Sequence, residues 1–494
     1  MENLLLGIDI GTSSCKLALI SEKGSVVDVA KSDYELFSYE ENRFEQNAED
    51  YWLGTLAALR KIEENTPGVL AKVKAIGVIG QTSTEIFVDK SGVPLRPAII
   101  WKDTRAVKEA EMIKRDFGEE KLLKLLGIEV PITPNWAASR LLWVSRNEPL
   151  VAKNTYKILQ PKDYVNFKLT GKYFSDKWIN KSVVNSHTGE VPEEYINYLG
   201  FTPEVIPKTY APFEVAGTVS AEVAALTGLC EGTPVVAGWS DGPATMLGSG
   251  AFLKEGIAFN CTGTSEIIGI STKKAKYVKG LMTLPEHITG SVAIIYGPTQ
   301  SGSSSLLWYL SKIRERNEFS EAVELAESVE AGAGGLVFLP YLAGERAPIW
   351  DTEARGVFAN INANHKNASF VRAIMEGVSF SVRHCLETAE AALGITAEDI
   401  VISGGGSKIP LWNQIRADAN KKRVVLTDSA ESSALGAVIL AAVGIGIFEN
   451  LEKASAALVK TGKVYEPNPE TYAAYDQNYK CYRALYGALK SINK

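Results

Sequence analysis

The chain has 494 residues, a length that allows roughly two to four domains. Its hydrophobic fraction of 46% and charged fraction of 22% are ordinary for a globular protein, and its net charge of −6 gives no sign of a nucleic-acid footprint. The 5 scattered cysteines lack C-x-x-C spacing and predict reduced thiols, and no segment resembles a signal peptide or a membrane span, so we expect a cytoplasmic protein.

The first predicted element is a β-hairpin of two apolar runs, Leu4–Ile10 and Leu17–Ile20, around a small polar turn. Asp9 stands where a buried strand normally carries Val or Ile. Because a carboxylate is costly to bury unless something binds it, a metal ion or its water shell is the expected partner. The turn offers amides, hydroxyls and a cation that suit a phosphate, from Gly11, Thr12, Ser13 and Lys16. An ordinary hairpin with a polar tip is the alternative at this stage.

The next elements lead to a second polar cluster. A strand is predicted at Ser25–Ala30, an amphipathic helix at Asn47–Lys61 and a buried strand at Val73–Ile79. The buried strand ends in a polar patch at its carboxyl end, where open α/β sheets bind ligands, formed by Gln81, Thr82 and Ser83.

A charge cluster follows the next predicted strands, Ile86–Asp89 and Pro97–Trp101. Lys102, Asp103 and Arg105 come directly after Trp101, and a solvated loop is the simplest interpretation of such a run. An amphipathic helix is predicted at Ala138–Arg146.

The middle of the chain repeats the opening pattern. A buried strand delivers Ser240 and Asp241 to a turn, and Pro243 stands where a first helical position favours proline. Two apolar runs, Gly256–Asn260 and Ile267–Ile270, then flank a tip of Gly263, Thr264 and Ser265 that matches residues 11–13. The repeat predicts a duplicated domain, with two hairpin tips that face each other across a cleft and clamp a polyphosphate.

The last part of the chain carries a glycine-rich turn. A strand at Ile400–Ser403 ends in Gly404, Gly405 and Gly406, and a helix follows at Leu411–Ala419. Bare amides and a helix N-terminus both favour phosphate, so this turn is a candidate nucleotide site. A long amphipathic helix is predicted at Phe370–Leu393, and the apolar run Ala434–Ile447 is more consistent with a buried helix than with a membrane span.

Two enzyme classes compete for the middle segment. Residues 238–242 fit the G-x-S-x-G pattern of a serine hydrolase, and His365 or His384 would have to complete its triad. That interpretation leaves both Gly-Thr-Ser hairpins unexplained. In the other interpretation Asp241 is the base that accepts a proton from a substrate hydroxyl during phosphoryl transfer. The chain has neither a P-loop nor an H-E-x-x-H motif.

These motifs together resemble the FGGY carbohydrate kinases of the actin-like superfamily, over residues 7 to about 446. Residues 7–13 resemble the family's first phosphate motif, 263–265 the second and 404–406 the adenosine motif, while 339–348 resemble a segment typical of xylulokinases and gluconokinases. The resemblance implies an α/β fold of two actin-like (ribonuclease H-like) domains that flank a deep catalytic cleft. It assigns residues 1–246 mainly to sugar binding and residues 247–494 mainly to nucleotide binding.

The resemblance also implies roles for individual residues. Asp241 is the expected catalytic base, and Asp9 is the acidic residue near Mg²⁺ and the transferred phosphoryl group. The expected nucleotide-binding set is Gly11, Thr12, Ser13, Lys16, Gly263, Thr264, Ser303, Gly404, Gly405 and Gly406. The expected substrate set is Gln81, Thr82, Ser83, Trp101, Asp103, Asp241 and Gly242. The resemblance therefore implies ATP and Mg²⁺ as cofactors and a small sugar or polyol as partner, with a homodimer as a possible assembly.

Departures from the family pattern fall where the substrate is chosen. Thr82 and Ser83 replace the usual Met-His, and Gly242 replaces the Asn that commonly follows the catalytic Asp in xylulokinases. The two signature patterns are also altered, by Arg140 for Lys and by Asn360 for Gly. A xylulose-like ketose is the first expectation, followed by gluconate or another polyol. A non-catalytic actin-fold ATPase is the competing class, but it would have no use for Asp241 beside the substrate loops.

Overall fold

The computed structural model describes residues 2–40, 42–315, 318–427 and 431–490. Strands and helices alternate along the chain, which confirms the predicted α/β class. Across those ranges, every helix is too short or too polar to cross a membrane.

The bounds of the elements are as follows. The strands are β1 (Leu4–Ile10), β2 (Ser14–Ser21), β3 (Val26–Asp33), β4 (Phe37–Glu40), β5 (Arg43–Gln46), β6 (Val73–Gly80), β7 (Ile86–Val88), β8 (Ala98–Ile99), β9 (Lys157–Leu159), β10 (Phe174–Asp176), β11 (Lys208–Tyr210), β12 (Val215–Thr218), β13 (Pro234–Val236), β14 (Trp239–Ser240), β15 (Ala258–Thr262), β16 (Glu266–Thr272), β17 (Met282–Leu284), β18 (Ala293–Pro298), β19 (Val337–Leu339), β20 (Val357–Ala359), β21 (Asp399–Gly404), β22 (Arg423–Thr427) and β23 (Thr461–Tyr465). The α-helices are α1 (Ala48–Asn65), α2 (Val107–Asp116), α3 (Gly118–Leu126), α4 (Ala137–Asn147), α5 (Pro149–Asn154), α6 (Pro161–Thr170), α7 (Glu193–Tyr198), α8 (Ala221–Thr227), α9 (Asp241–Gly248), α10 (Glu286–Thr289), α11 (Ser304–Trp308), α12 (Phe319–Glu327), α13 (Asn367–Leu393), α14 (Pro410–Asn420), α15 (Ser432–Gly444), α16 (Leu451–Leu458) and α17 (Tyr472–Leu489).

The chain forms two compact units. The first contains Met1–Gly248, His287–Gly290 and Ser433–Leu458, and the second contains Ser249–Glu286, Ser291–Ser432 and Val459–Lys494. The expected border between residues 246 and 247 lies close to Gly248, where the long first segment of the first unit ends, and the segment 433–458 lies in the first unit although it comes late in the chain. The division of labour between sugar and nucleotide stays a prediction.

The first unit is built on a sheet in the order β12-β13-β6-β1-β2-β3, with β14 also paired to β6. Strand β1 runs parallel to β6 and antiparallel to β2, as the predicted hairpin requires. Helix α1 packs Tyr51, Leu59 and Ile62 into the same core cluster as Ile8 and Leu17. The sheet is therefore held by apolar burial, while its strand ends carry polar residues.

The second unit repeats this topology. Its sheet has the order β17-β18-β16-β15-β21-β22-β23. Strand β15 is antiparallel to β16 and parallel to β21, β22 is parallel to β21, and β23 is antiparallel to β22. The strands β23, β22, β21, β15, β16 and β18 thus correspond in order and direction to β12, β13, β6, β1, β2 and β3. The duplication inferred from the two Gly-Thr-Ser tips is confirmed at the level of topology.

Glycines let helix α15 approach the centre of the first sheet. A Cβ built on Gly77 would lie 2.1 Å from the Ala437 carbonyl oxygen, and one on Gly7 would lie 2.3 Å from the Ala434 carbonyl oxygen. These separations are too short for any Cβ, so both strands need glycine where the helix backbone crosses them. The close packing fixes the start of α15 beside the carboxylate-bearing end of β1.

Gly77→Ala is expected to destabilise the protein by about 1–3 kcal/mol, because the new methyl group meets helix backbone rather than a mobile side chain. Denaturant unfolding measures the loss. Gly487→Ala is the matched control, since Gly487 lies in α17 and a Cβ there meets nothing within 4 Å. A Gly77→Ala protein as stable as this control would contradict the packing.

Candidate active site

Three strand ends bring the main predicted residues of the first unit together. Ile10 pairs with Gly80, and Gly80 pairs with Ser240, so β1, β6 and β14 end side by side. Their next residues are Gly11, Gln81 and Asp241. The Gln81 N–H continues the ladder by donating to the Ile10 carbonyl at 2.9 Å. Because the three strands run parallel, their carboxyl ends form one polar edge of the sheet.

Two carboxylates at this edge influence each other. Asp241 is half-buried at the start of α9, and its pKa is raised to about 7, first by burial and then by the negative charge of Asp9. The Gly242 N–H donates a hydrogen bond of 2.7 Å to Asp241 Oδ1, and this hydrogen bond lowers the pKa of Asp241. Asp9 Oδ2 accepts a hydrogen bond of 2.5 Å from Ser433 Oγ. A carboxylate with a pKa near 7 suits a general base at neutral pH.

Lys181 also interacts with Asp241, and no motif in the sequence points to it. Its ammonium lies 5.0 Å from the ring centroid of Trp136 and 4.9 Å from that of Trp178. Burial lowers its pKa to about 8, while the charges of Asp176 and Asp241 act to raise that pKa. Lys181 in turn lowers the pKa of Asp241. No local motif surrounds Lys181, and only the fold brings it near Asp241.

The substrate loop after β6 is shaped by buried polar contacts. Gln81 and Ser83 are buried, and Ser83 has a φ of 50°, a left-handed conformation that is uncommon outside glycine. The Ser83 carbonyl accepts a hydrogen bond of 2.6 Å from Arg140. Gln81 Oε1 and Thr82 Oγ1 are buried and have no hydrogen-bond partner among the described residues. Buried polar atoms of this kind are costly to leave unpaired, which favours a ligand with hydroxyl groups.

The other predicted substrate residues differ in how exposed they are. Trp101 is half-exposed, and its indole N–H donates to Thr12 Oγ1 at 3.0 Å. Asp103 is completely buried, and its carboxylate accepts from Arg105 and from the Phe44 N–H at 2.8 Å. The Asp103 carboxylate thus holds its own loop in place. A Cβ on Gly242 would meet nothing within 4 Å, so this position borders open space.

Side chains from outside the β1–β2 hairpin hold its tip in the first unit through hydrogen bonds. The Thr12 carbonyl accepts a hydrogen bond of 2.7 Å from Gln46 Nε2, and the Gly11 carbonyl accepts one from the Tyr34 hydroxyl. Ser13 is exposed at the tip, and Lys16 lies opposite Asp9 in the register of the two strands. The carbonyl groups are therefore turned towards the protein.

The matching tip in the second unit is held by the segment before α11. Ser303 donates to the Gly263 carbonyl through its N–H at 2.9 Å and its hydroxyl at 2.5 Å. The Gly302 N–H donates to the Thr264 carbonyl at 2.8 Å. The Ser303 hydroxyl thus shapes the tip, and its predicted contact with a nucleotide stays a prediction.

The glycine turn after β21 packs on Thr262. Gly404 has a φ of 89°, and a Cβ there would lie 2.1 Å from the Thr262 carbonyl oxygen. A Cβ on Gly406 would lie 3.0 Å from the Thr262 side chain, whereas one on Gly405 would meet nothing within 4 Å. Gly404 and Gly406 are therefore required by packing, while Gly405 leaves room for a ligand to approach the backbone.

The serine hydrolase interpretation gains no support. Ser240 is buried within β14, whereas a nucleophile elbow exposes its serine at a sharp turn. His365 is engaged by Asn362 and the Gly334 carbonyl, and burial lowers the pKa of His384 to about 4. Neither histidine is arranged as the base of a triad.

The Asp9 carboxylate suits a magnesium ion that arrives with a nucleotide. Mg²⁺ is commonly bound by one or two carboxylates, water and substrate phosphates. Asp9 supplies one such carboxylate, and a cation beside it would relieve its repulsion with Asp241. The described residues contain no cluster of three or more His, Cys, Asp or Glu side chains that could hold a metal on its own.

Comparisons with known proteins find similarity to carbohydrate kinases over nearly the whole chain. Residues 4–248 match the N-terminal domain, and residues 258–445 the C-terminal domain, of the FGGY family of carbohydrate kinases. The chain is 30% identical to a xylulose kinase of Bacillus subtilis strain 168 over 99% of this chain and 98% of that protein, and 28% identical to a gluconokinase of the same strain over 100% and 96%. A crystal structure described as a xyloylose kinase from Brucella ovis has a TM-score of 0.89 and 29% identity, covering 99% of this chain and 100% of that one.

Proposed function

The chain belongs to the FGGY family of carbohydrate kinases, phosphotransferases with an alcohol group as acceptor, and we propose that it phosphorylates a hydroxyl of a xylulose-like ketose with ATP as donor. The observation that carries the proposal is the pair of carboxylates, Asp9 and Asp241, beside a loop in which Gln81 Oε1 and Thr82 Oγ1 are buried without a hydrogen-bond partner among the described residues. The similarity to xylulose kinases supports the choice of acceptor.

Asp241 is the base of the proposed reaction. The acceptor hydroxyl gives its proton to the Asp241 carboxylate as its oxygen bonds to the γ-phosphorus, and the bond to ADP breaks. Positioning and charge stabilisation supply most of the catalysis in such transfers. The pKa of about 7 keeps a substantial fraction of Asp241 ionised at neutral pH, and Lys181 favours the ionised form.

The acceptor is held by the loop after β6. Gln81 Oε1 and Thr82 Oγ1 offer buried hydrogen-bonding atoms to sugar hydroxyls, and Trp101 offers an apolar face. Gluconate is the second candidate acceptor, because the buried ammonium of Lys181 near Asp241 would favour the carboxylate of an aldonate.

The nucleotide contacts are assigned to the two hairpin tips and the glycine turn. We assign the phosphates to the amides of residues 11–13 and 263–265, and the adenosine to residues 404–406, where Gly405 borders open space. Asp9 would hold Mg²⁺, which when bound supplies charge neutralisation for the transferring phosphoryl group. A homodimer and a cytoplasmic location stay predictions.

The activity is expected to depend on the ionisation of Asp241. Its pKa is raised above the ordinary value to about 7, and only the ionised form accepts a proton. The value of kcat/KM should therefore rise through about pH 7, and fall about tenfold per unit below it. The measurement uses both substrates below saturation, so that the profile reports the free enzyme. A profile that is flat from about pH 5.5 to 8 would contradict the role of Asp241.

A panel assay tests the substrate class. ADP release is measured with pentuloses, hexuloses, aldonates and polyols, each as the only acceptor. We expect the highest kcat/KM for a ketopentose such as D-xylulose. A preference for gluconate would replace the first candidate by the second, and turnover no greater than basal ATP hydrolysis with every compound would refute the proposal.

A further inference from the structure

The orientation of one buried amide, that of Gln46, is fixed by two carbonyl groups. Gln46 ends β5 and is 1% exposed. Its side chain lies 2.7 Å from the Thr12 carbonyl oxygen and 3.3 Å from the Glu35 carbonyl oxygen. Carbonyl oxygens only accept hydrogen bonds, so the end of the amide that faces them must be the NH₂ group. The Gln46 oxygen therefore faces the opposite way.

This orientation determines that of Gln81 in turn. Gln46 Oε1 accepts from Gln81 Nε2 at 2.9 Å and from the Tyr51 hydroxyl at 2.9 Å. Gln81 Nε2 also lies 3.3 Å from the Tyr51 hydroxyl oxygen. The Gln81 amide is thus turned with its NH₂ group inwards. Its Oε1 is buried and has no partner among the described residues.

We propose that Gln46 is a positioning residue that makes Gln81 present a hydrogen-bond acceptor to the sugar and ties the acceptor loop to the phosphate hairpin at Thr12. The group of the substrate that lies against Gln81 is therefore a hydrogen-bond donor, a hydroxyl, and neither a keto oxygen nor a carboxylate oxygen. The inference rests on the proposed function, because it concerns the acceptor of that reaction.

The same chain of hydrogen bonds joins two parts of the site. Gln46 contacts the acceptor loop through its oxygen and the hairpin tip through its nitrogen. A ligand that orders Gln81 therefore reduces the freedom of the Thr12 backbone, and the effect is reciprocal by linkage. Binding of the acceptor and of the nucleotide should be coupled in the wild type and weakly coupled without Gln46.

Gln46→Met tests the inference, because methionine fills a similar volume and lacks the amide. Without Gln46, the Gln81 amide has no fixed orientation, and the acceptor KM for D-xylulose should rise about 10-fold, the value of one hydrogen bond. Gln46→Met should have less than about a twofold effect on KM when Gln81 is already Met, since both changes remove the same interaction. Isothermal titration with AMP-PNP, with and without D-xylulose, should show that nucleotide and acceptor binding are coupled in the wild type and that this coupling is lost in Gln46→Met.

Thr55→Val is the control for a purely structural role. Thr55 is buried on the neighbouring helix α1, and its hydroxyl donates to the Tyr51 carbonyl at 2.7 Å. It should lower the melting temperature and leave the acceptor KM unchanged. If Gln46→Met leaves the KM unchanged, or adds its full effect to Gln81→Met, the inference is wrong while the kinase assignment stands. If the wild type phosphorylates no acceptor, the proposed function fails and this inference with it.

Discussion

Asp241→Asn is expected to lower kcat by about 10²- to 10⁴-fold, the usual contribution of a general base, with little change in the acceptor KM. Asparagine keeps the shape of the side chain and cannot take up the proton of the acceptor hydroxyl. The measurement is steady-state sugar phosphorylation at about pH 8, where the wild-type carboxylate is ionised. Asp33→Asn removes the same charge from an exposed position of the first unit and should leave kcat unchanged.

Stability separates this effect from misfolding. Because the pKa of Asp241 is raised from 3.8 to about 7 in the folded protein, stability is lost as the pH rises between these two values, and the full cost of the ionised carboxylate remains at higher pH. Asparagine removes that cost, so the variant should be at least as stable as the wild type at pH 8. Full activity of Asp241→Asn would exclude Asp241 as the base.

Arg140→Met is expected to reduce the free energy of unfolding by about 3–5 kcal/mol, because it leaves the buried Glu85 carboxylate without its cation. The guanidinium donates to both Glu85 oxygens, at 2.7 and 2.9 Å, and both side chains are at most 1% exposed. It also donates to the carbonyl oxygens of Ser83 at 2.6 Å and Asn135 at 2.7 Å. The loop after β6 therefore loses the hydrogen bond that holds the Ser83 carbonyl, and the acceptor KM should rise.

Matched variants check this result by denaturant unfolding. Arg146→Met makes the same change on the same helix at a half-exposed position, and should cost less than about 1 kcal/mol. Arg140→Lys keeps the charge without the planar fork, and we expect an intermediate loss. Replacing Arg140 and Glu85 together by Met should recover part of the stability, since the pair then leaves no unpaired charge, while the Ser83 and Asn135 carbonyls still lose their donor. An Arg140→Met protein within about 0.5 kcal/mol of the wild type would contradict the role of this ion pair.

The elements with strong local patterns could be predicted from the sequence. The apolar run Leu4–Ile10 is β1 with the same bounds, and the predicted helix from Asn47 is α1, whose N-cap Asn47 accepts from the Glu49 N–H. The predicted strand Pro97–Trp101 shrinks to Ala98–Ile99, whose ladder with β5 joins Ala98 to Gln46 and Ile99 to Glu45. Local signals therefore located the elements better than they located short edge pairings.

The residues of the candidate site also differ in how far the sequence alone could predict them. Asp9, Gln81 and Asp241 follow from strand ends that are visible in the sequence, and the fold places these ends side by side. Gln46 and Lys181 could not be found, because each acts through partners distant in the chain and lies in no motif. Asp103 is predicted from the sequence to contact the substrate, but its carboxylate binds Arg105 and the Phe44 N–H within the protein. The sequence alone does not distinguish a polar residue that binds a ligand from one that holds its own loop.

The stoichiometry of the reaction shows whether the protein transfers phosphate from ATP to a sugar or to water. Wild-type protein is incubated with ATP, Mg²⁺ and D-xylulose, and ADP, phosphorylated sugar and inorganic phosphate are measured in the same sample. We expect one phosphorylated sugar for each ADP, and little inorganic phosphate. ADP matched by inorganic phosphate, with no phosphorylated product from any acceptor of the panel, would contradict this expectation.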